Sequence, residues 1–267
     1  MKAMNQEKAK TLRLRVGAAA LSAVLLMGGM VGCDTGTTAD TDAESETSVS
    51  ETYTYRINIE PYRAALFTTA PAYRILVNKQ YTVGVGYAPA TLTVMDSSLT
   101  LYGKEVKLEA TAALAAEALV RELWAYGWTN IVITSGYRTY AYQSGLFSHY
   151  MEEERAAHPA WTEQQVTDQV LTYSARPGTS EHQTGLCLDL IDQKNPVLDE
   201  SFASLEAYRW LEQNAHKFGF ILRFPKGKEG VTGYSYEPWH YRFVGVETAT
   251  AIYRQGLTLE EYLGGGA

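Results

Sequence analysis

The stretch "SEHQTGLCLDL", residues 180 to 190, decides the reading of this chain. Leu186, Leu188 and Leu190 alternate with Cys187, Asp189 and Ile191, so a strand here is apolar on both faces. Such a strand belongs in the interior of a sheet. It nevertheless carries a carboxylate, Asp189, and follows His182 and Gly185. Burying even a neutral polar group without a partner costs roughly 2–7 kcal/mol, and an unpaired charge costs more. Asp189 therefore needs compensation, either from a salt bridge to Arg138 or Arg242 or from a metal cation.

A second stretch, "EPWHYRFV" (237–244), supplies the other half of the problem. A strand over 239–244 sends Trp239, Tyr241 and Phe243 to one face, and His240 and Arg242 to the other. Glu237 stands three residues before His240, and Pro238 between them biases Glu237 toward an extended backbone. This is not the helical HExxH arrangement of many metalloproteases. Two histidines, one carboxylate and a spare glutamate are the parts of a catalytic zinc site: three protein ligands, an open position and a general base. A dication would also neutralise Asp189. On the residues alone, structural histidines and an ordinary ion pair remain an equal alternative. His149, His158 and His216 have no matching acid cluster and read as structural or surface residues.

The remainder reads as mixed helix and strand. Residues 74–95 read as extended segments and turns, and 110–127 have apolar residues at helical spacing up to a glycine stop. A β-branched strand over 130–135 leads into "GYR"; helices follow near 139–155 and 162–173. After the opening stretch come a helix at 203–217, a strand at 218–224, a Lys/Gly loop, the strand at 239–244 and two short closing helices. Helices and strands that do not alternate strictly, with a tight strand-loop-strand near the end, predict an α+β fold with an antiparallel sheet. The chain contains no P-loop, GxGxxG or GxSxG motif.

The N-terminus has a different character. Lys2, Lys8, Lys10, Arg13 and Arg15 precede an uncharged run, residues 16 to 32. This is the pattern of a secretory signal, and the run is short for a full membrane span. It ends "GGMVGC", which resembles the lipobox of bacterial lipoproteins, with Met30 and Val31 departing from its usual residues. The expectation is a signal peptide over 1–32, lipid on Cys33, and a chain exported and anchored on the outer side of the bacterial cytoplasmic membrane. Residues 34–52, rich in Ser, Thr, Asp and Glu, read as a disordered tether. Residues 53–72, aromatic but weakly patterned, read as a lead-in, so 33–72 precede a folded domain at 73–267. Removing residues 1–32 deletes five positive charges and one negative charge, taking the net charge from −7 to −11. An acidic chain without a Lys/Arg stripe offers no footprint for nucleic acid. Cys33 and Cys187 are the only cysteines; with Cys33 lipidated no disulfide can form, and Cys187, between leucines, reads as a small buried apolar residue.

Taken together, "SGYRTYAYQSGLF" (135–147), "SEHQTGLCLD" (180–189) and "FGFILRFPKGKEGVTGYSYEPWHYRFVG" (218–245) resemble the VanY family of zinc D-alanyl-D-alanine carboxypeptidases over about residues 74–250. The resemblance implies a small α+β fold with a central antiparallel sheet, shared with the Hedgehog signalling domain and the VanX dipeptidases. It implies one Zn2+, held by His182, Asp189 and His240, with Glu237 as base. Arg138 would bind substrate and stabilise the oxyanion, and Gln143 and Ser180 would line the peptide cleft. The implied reaction removes the terminal D-alanine from peptidoglycan stem peptides; L,D-carboxypeptidase, endopeptidase or dipeptidase activity would use the same site. A non-catalytic zinc-containing cell-wall module would need neither Glu237 nor Arg138. Two residues depart from the pattern: Cys187 stands where the family has alanine, and Phe224 where a cleft tyrosine is common.

Overall fold

The computed structural model describes residues 53–264, and the expected signal peptide, lipidated Cys33 and tether lie outside the described residues. An antiparallel sheet of four strands is the centre of the fold, in the order β3-β4-β6-β5: β3 is Ile131–Ser135, β4 Cys187–Asp192, β5 Phe220–Leu222 and β6 His240–Phe243. A separate pair, β1 (Leu92–Val94) and β2 (Lys107–Glu109), is also antiparallel. Among the described residues five helices exceed two turns: α1 (Ala110–Ala125), α2 (Tyr140–Ala157), α3 (Glu163–Val170), α4 (Glu206–Asn214) and α5 (Val246–Gln255). The α+β expectation holds. Among the described residues no helix is long and apolar enough to cross a membrane.

The alternation in β4 does what the sequence requires. Leu188 and Leu190 join Tyr241 and Phe243 of β6 in the main core. Helix α1 packs on that same face with Ala112, Ala115, Ala116, Leu119 and Leu123 buried, the alanines allowing close approach. Its first turn is capped by Glu109, whose carboxylate accepts from the Thr111 and Ala112 amides at 2.9 and 3.1 Å. The opposite face of β4 and β6 carries Cys187, Asp189, His240 and Arg242. The β4/β6 register sets Asp189 opposite His240 and Cys187 opposite Arg242.

The domain boundary expected at residue 73 is corrected, because the folded unit begins at Tyr53. Tyr53, Tyr55, Ile57, Ile59 and Tyr62 pack against the main core. A buried carboxylate anchors them: Glu122 of α1 accepts from the Tyr53 hydroxyl at 2.9 Å and from the Arg56 and Ile57 amides at 2.9 and 3.0 Å. Aromatic residues without periodicity look like a lead-in when the partner that orders them, Glu122, lies some 65 residues on. Within 74–95, expected as extended segments and turns, Leu92–Val94 is strand. Asn78 turns the chain, its side-chain oxygen accepting from the Gln80 and Tyr81 amides. Helix α3 is shorter than expected, ending at Val170, and β5 is confined to Phe220–Leu222.

Candidate metal centre and active site

Three segments converge on the open face of β4 and β6. The Ser135–Arg138 turn leaves β3 and is tied to the "SEH" turn by the Arg138 amide, which donates to the His182 carbonyl at 3.0 Å. Gly136 is required by proximity, since a Cβ there would lie 2.5 Å from the Lys107 carbonyl oxygen. Its own carbonyl accepts from His182 Nδ1 at 2.7 Å. A carbonyl only accepts, so Nδ1 carries the proton and Nε2 presents a lone pair. Gly185, at φ +66°, ends the turn after His182 in a conformation that favours glycine and starts β4.

The two imidazoles and the Asp189 carboxylate then meet in a buried cluster. His182 Nε2 is 3.4 Å from Asp189 Oδ2, and His240 Nδ1 is 3.1 Å from Asp189 Oδ1. The Asp189 carboxylate uses a different oxygen toward each ring. All three side chains are buried. Burial opposes charge on the imidazoles, yet Cys187 and Asp189 beside them raise both above their ordinary range. Burial likewise opposes the Asp189 charge, but the two histidines hold its carboxyl well below the usual range. One nitrogen of each imidazole lies 3.4 or 3.1 Å from an oxygen of Asp189, so the three side chains converge closely enough to share one cation. The residues therefore fit zinc, and nitrogen and oxygen donors are among its usual ligands.

The alternative in which Arg242 neutralises Asp189 is excluded by register. Arg242 Nη1 donates to Glu181 Oε1 at 2.6 Å, while Arg138 Nη2 comes no closer to Asp189 than 4.0 Å.

Glu181 is the residue that sequence reasoning missed. Its carboxylate is buried between two fully buried guanidiniums, taking a second bond from Arg223 Nε at 2.7 Å. Burial alone would raise this carboxyl, but Arg223 and Arg242 hold it well below the usual range. Arg223 also forms a fork with Glu260, at 2.9 and 2.6 Å. The free oxygen of Glu181, Oε2, faces His240 Nε2 at 3.5 Å, and neither atom has another hydrogen-bond partner. A carboxylate behind a ligating histidine fixes which nitrogen carries the proton and turns the other toward the metal. The one signal in the sequence is an acidic residue directly before His182, and its meaning depends on arginines from β6 and the β5 end.

Glu237 stands at the rim. The Glu237–His240 segment is a turn, closed by the His240 amide donating to the Glu237 carbonyl at 3.2 Å, with Pro238 second in the turn as such turns favour. The turn brings Glu237 Oε2 to 3.6 Å from His240 Nδ1, and the Glu237 side chain remains 18% exposed. Burial pushes its carboxyl up to about 7, with Asp189 adding to the rise and His240, His182 and Arg138 opposing it. A carboxylate poised near neutrality, beside the cation pocket and open to solvent, is suited to proton transfer.

The remaining expectations divide. Arg138, 22% exposed, faces Asp189 and is steadied by Gln143, whose Oε1 accepts from Nη1 at 3.3 Å. Gln143 is itself buried and donates to the Ala175 carbonyl at 2.7 Å, so it positions Arg138 rather than lining an open cleft. Ser180 is buried at the start of the "EHQT" turn, where its carbonyl accepts from the Gln183 amide. Phe224 packs its ring 4.9 Å from that of His240 and 4.8 Å from that of Tyr234, making the wall of the site apolar there.

Two buried imidazoles, a carboxylate between them and a glutamate at the rim define a metallohydrolase-type centre. The chain belongs to the VanY family, D-alanyl-D-alanine carboxypeptidase, whose profile matches residues 105–246. It is 46% identical over 132 residues to a D-alanyl-D-alanine carboxypeptidase of Enterococcus faecalis (strain ATCC 700802 / V583), covering 49% of this chain and 47% of that protein. The chain thus spans about half the length of that relative. Among solved structures it is similar to the vancomycin resistance D,D-pentapeptidase VanY from a VanB-type cassette, in complex with Zn(II). That likeness has a TM-score of 0.61 and 36% identity, over 72% of this chain and 99% of that one. It is also similar to the LdcB LD-carboxypeptidase, at a TM-score of 0.62 and 34% identity, over 72% of this chain and 86% of that one.

Proposed function

We propose that this protein is a zinc-dependent D,D-carboxypeptidase that hydrolyses the terminal D-alanine from peptidoglycan stem peptides. The observation that carries this reading is the placement of Glu237 at the rim of the His182–Asp189–His240 pocket, 3.6 Å from His240 Nδ1. A purely structural zinc site needs no such group. Zinc, when bound by His182, Asp189 and His240, supplies an activated water and polarises the scissile carbonyl. Glu237 takes the proton of the attacking water and delivers it to the leaving D-alanine nitrogen, so the peptide bond is exchanged for a carboxylate and an amine. Arg138, held by Gln143, places positive charge where the carbonyl oxygen becomes negative and gives the substrate carboxylate a partner. The Phe224 wall excludes water from that side.

Incubating the purified protein with defined pentapeptide and tetrapeptide stems tests the assignment. Release of D-alanine from the pentapeptide alone is the expected result. Trimming of the tetrapeptide alone would replace it with the L,D-specificity named for the LdcB neighbour.

The same proposal extends to location: export by the segment 1–32, with lipid on Cys33 holding the domain on the outer side of the cytoplasmic membrane. The basic residues before an uncharged run and the "GGMVGC" sequence support it. Cys33→Ser is expected to move the protein out of the detergent phase. Unchanged partitioning would point to a membrane-spanning anchor at 16–32.

A further inference from the structure

Residues 258 to 262 read "TLEEY", and the two adjacent glutamates meet opposite fates. Thr258 and Glu261 form a capping box, the Glu261 amide donating to the Thr258 hydroxyl at 3.2 Å and the Thr258 amide to the Glu261 carboxylate at 2.7 Å. Leu259 packs with Ile221, Val244 and Ile252 in a second apolar cluster. Cap and cluster fix the short helix Leu259–Tyr262 and turn Glu260 inward, where it is fully buried. A carboxylate there needs partners. It accepts from Arg223 Nη1 at 2.9 Å and Nη2 at 2.6 Å, and from Asn78 Nδ2 at 3.1 Å. The guanidinium is planar and rigid, so a fork on its two Nη atoms also sets the direction of Nε. Nε donates to Glu181 Oε1 at 2.7 Å, the same oxygen that Arg242 Nη1 reaches at 2.6 Å. With Oε1 doubly engaged, Oε2 is the oxygen left toward His240 Nε2, 3.5 Å away.

We propose that Glu260 is a positioning residue of the zinc site, acting through Arg223 to hold the Glu181 carboxylate behind His240. The inference rests on the zinc reading above and goes beyond it, since Glu260 touches no ligand and lies outside the family-matched residues 105–246. Glu181 alone would face two fully buried arginines; Glu260 makes the group two cations and two anions. Its second effect is geometric. Released from Glu260, Arg223 would be free to close a bidentate pair on Glu181, the geometry that guanidinium and carboxylate favour. That pair would draw Oε2 away from His240. The imidazole would then lose the acceptor that fixes which of its nitrogens carries the proton and how the ring is turned. A helix outside the sheet thus holds the orientation of a ligand on β6.

Zinc affinity of the folded protein, measured by competition with a chelator, tests this without recourse to activity. Glu260→Gln breaks the fork and is expected to weaken zinc roughly 3- to 10-fold, within the range of coupling inside one hydrogen-bond network. Glu260→Asp keeps the charge but shortens the reach to the two nitrogens. It should weaken zinc in the same direction, and it carries the test if the glutamine variant does not fold. In a Glu181→Gln background either change should alter zinc affinity by less than about twofold, because the path to His240 is already cut. Glu122→Gln controls for lost stability alone. Its carboxylate serves the Tyr53 hydroxyl and the Arg56 and Ile57 amides, so zinc affinity there should stay at the wild-type value. Wild-type affinity in the folded Glu260 variants, or an equal loss with and without the Glu181 carboxylate, would overturn the proposal and leave Glu260 an anchor of its own helix. A loss of the same size in Glu122→Gln would overturn it too. Failure of the wild type to take up zinc would instead overturn the zinc reading on which it rests.

Discussion

Glu237→Gln is expected to retain stoichiometric zinc and to lose activity by a factor of roughly 10²–10⁴, the usual contribution of general acid–base catalysis. The metal should stay because His182, Asp189 and His240 remain, with Asp189 spanning the two imidazoles at 3.4 and 3.1 Å. The fold should stay because Gln has almost the same shape and the turn is closed by backbone, the His240 amide on the Glu237 carbonyl. What disappears is a carboxylate that burial holds near neutrality. Proton transfer is needed in the transition state and not in substrate binding, so the loss should fall on kcat while KM changes little. Steady-state kinetics on a pentapeptide stem, with metal content measured on the same sample, separates the outcomes. A variant that loses its zinc would make Glu237 a ligand. One that keeps full activity would remove the base from the reaction and favour a structural zinc.

The second large effect is expected behind the metal, at Glu181→Gln. The Glu181 carboxylate lies between Arg223 at 2.7 Å and Arg242 at 2.6 Å, with both guanidiniums fully buried. Removing its charge leaves two buried cations short of a partner, and breaking a buried pair on one side typically costs about 3–5 kcal/mol. Glu260 still holds Arg223, and the Tyr73 and Ile75 carbonyls still accept from Arg242, which places the expected loss near the lower end. Urea unfolding of the zinc-free protein measures it. The same change weakens the acceptor facing His240 Nε2, so zinc affinity should fall about 10- to 100-fold, the usual effect of losing a carboxylate behind a ligating histidine. Zinc affinity is the discriminating measurement, because a merely structural role would lower stability and leave the folded site's affinity unchanged. Unchanged stability and affinity together would show the two arginines to be satisfied without Glu181.

Much of this site is legible in the amino-acid sequence. A carboxylate in a strand apolar on both faces has few physical resolutions. His182, Asp189, Glu237 and His240 all stand out because each lies in a short segment whose periodicity or spacing exposes it. Helix α1 and strands β3, β4 and β6 are likewise predictable, since their apolar residues recur at the period of the element they form. The exceptions share one cause. They are the role of Glu181, the true partner of Arg242, the two imidazoles beside Cys187, and the inclusion of 53–72 in the domain.

Each of those four depends on a partner distant in sequence. The chain by itself determined the α+β class, the donor types and their order, because local alternation and turn chemistry act over a few residues. Only the tertiary structure decided that Arg242 meets Glu181, that Glu122 orders the Tyr53–Ile57 segment, and that the Cys187 sulfur faces two imidazoles. The β4/β6 register, with Asp189 opposite His240 and Cys187 opposite Arg242, settles which side chains share the site. A shift of one residue would send every one of them to the other face, and the register is held by the whole buried face of leucines and aromatics rather than by any single stretch of sequence.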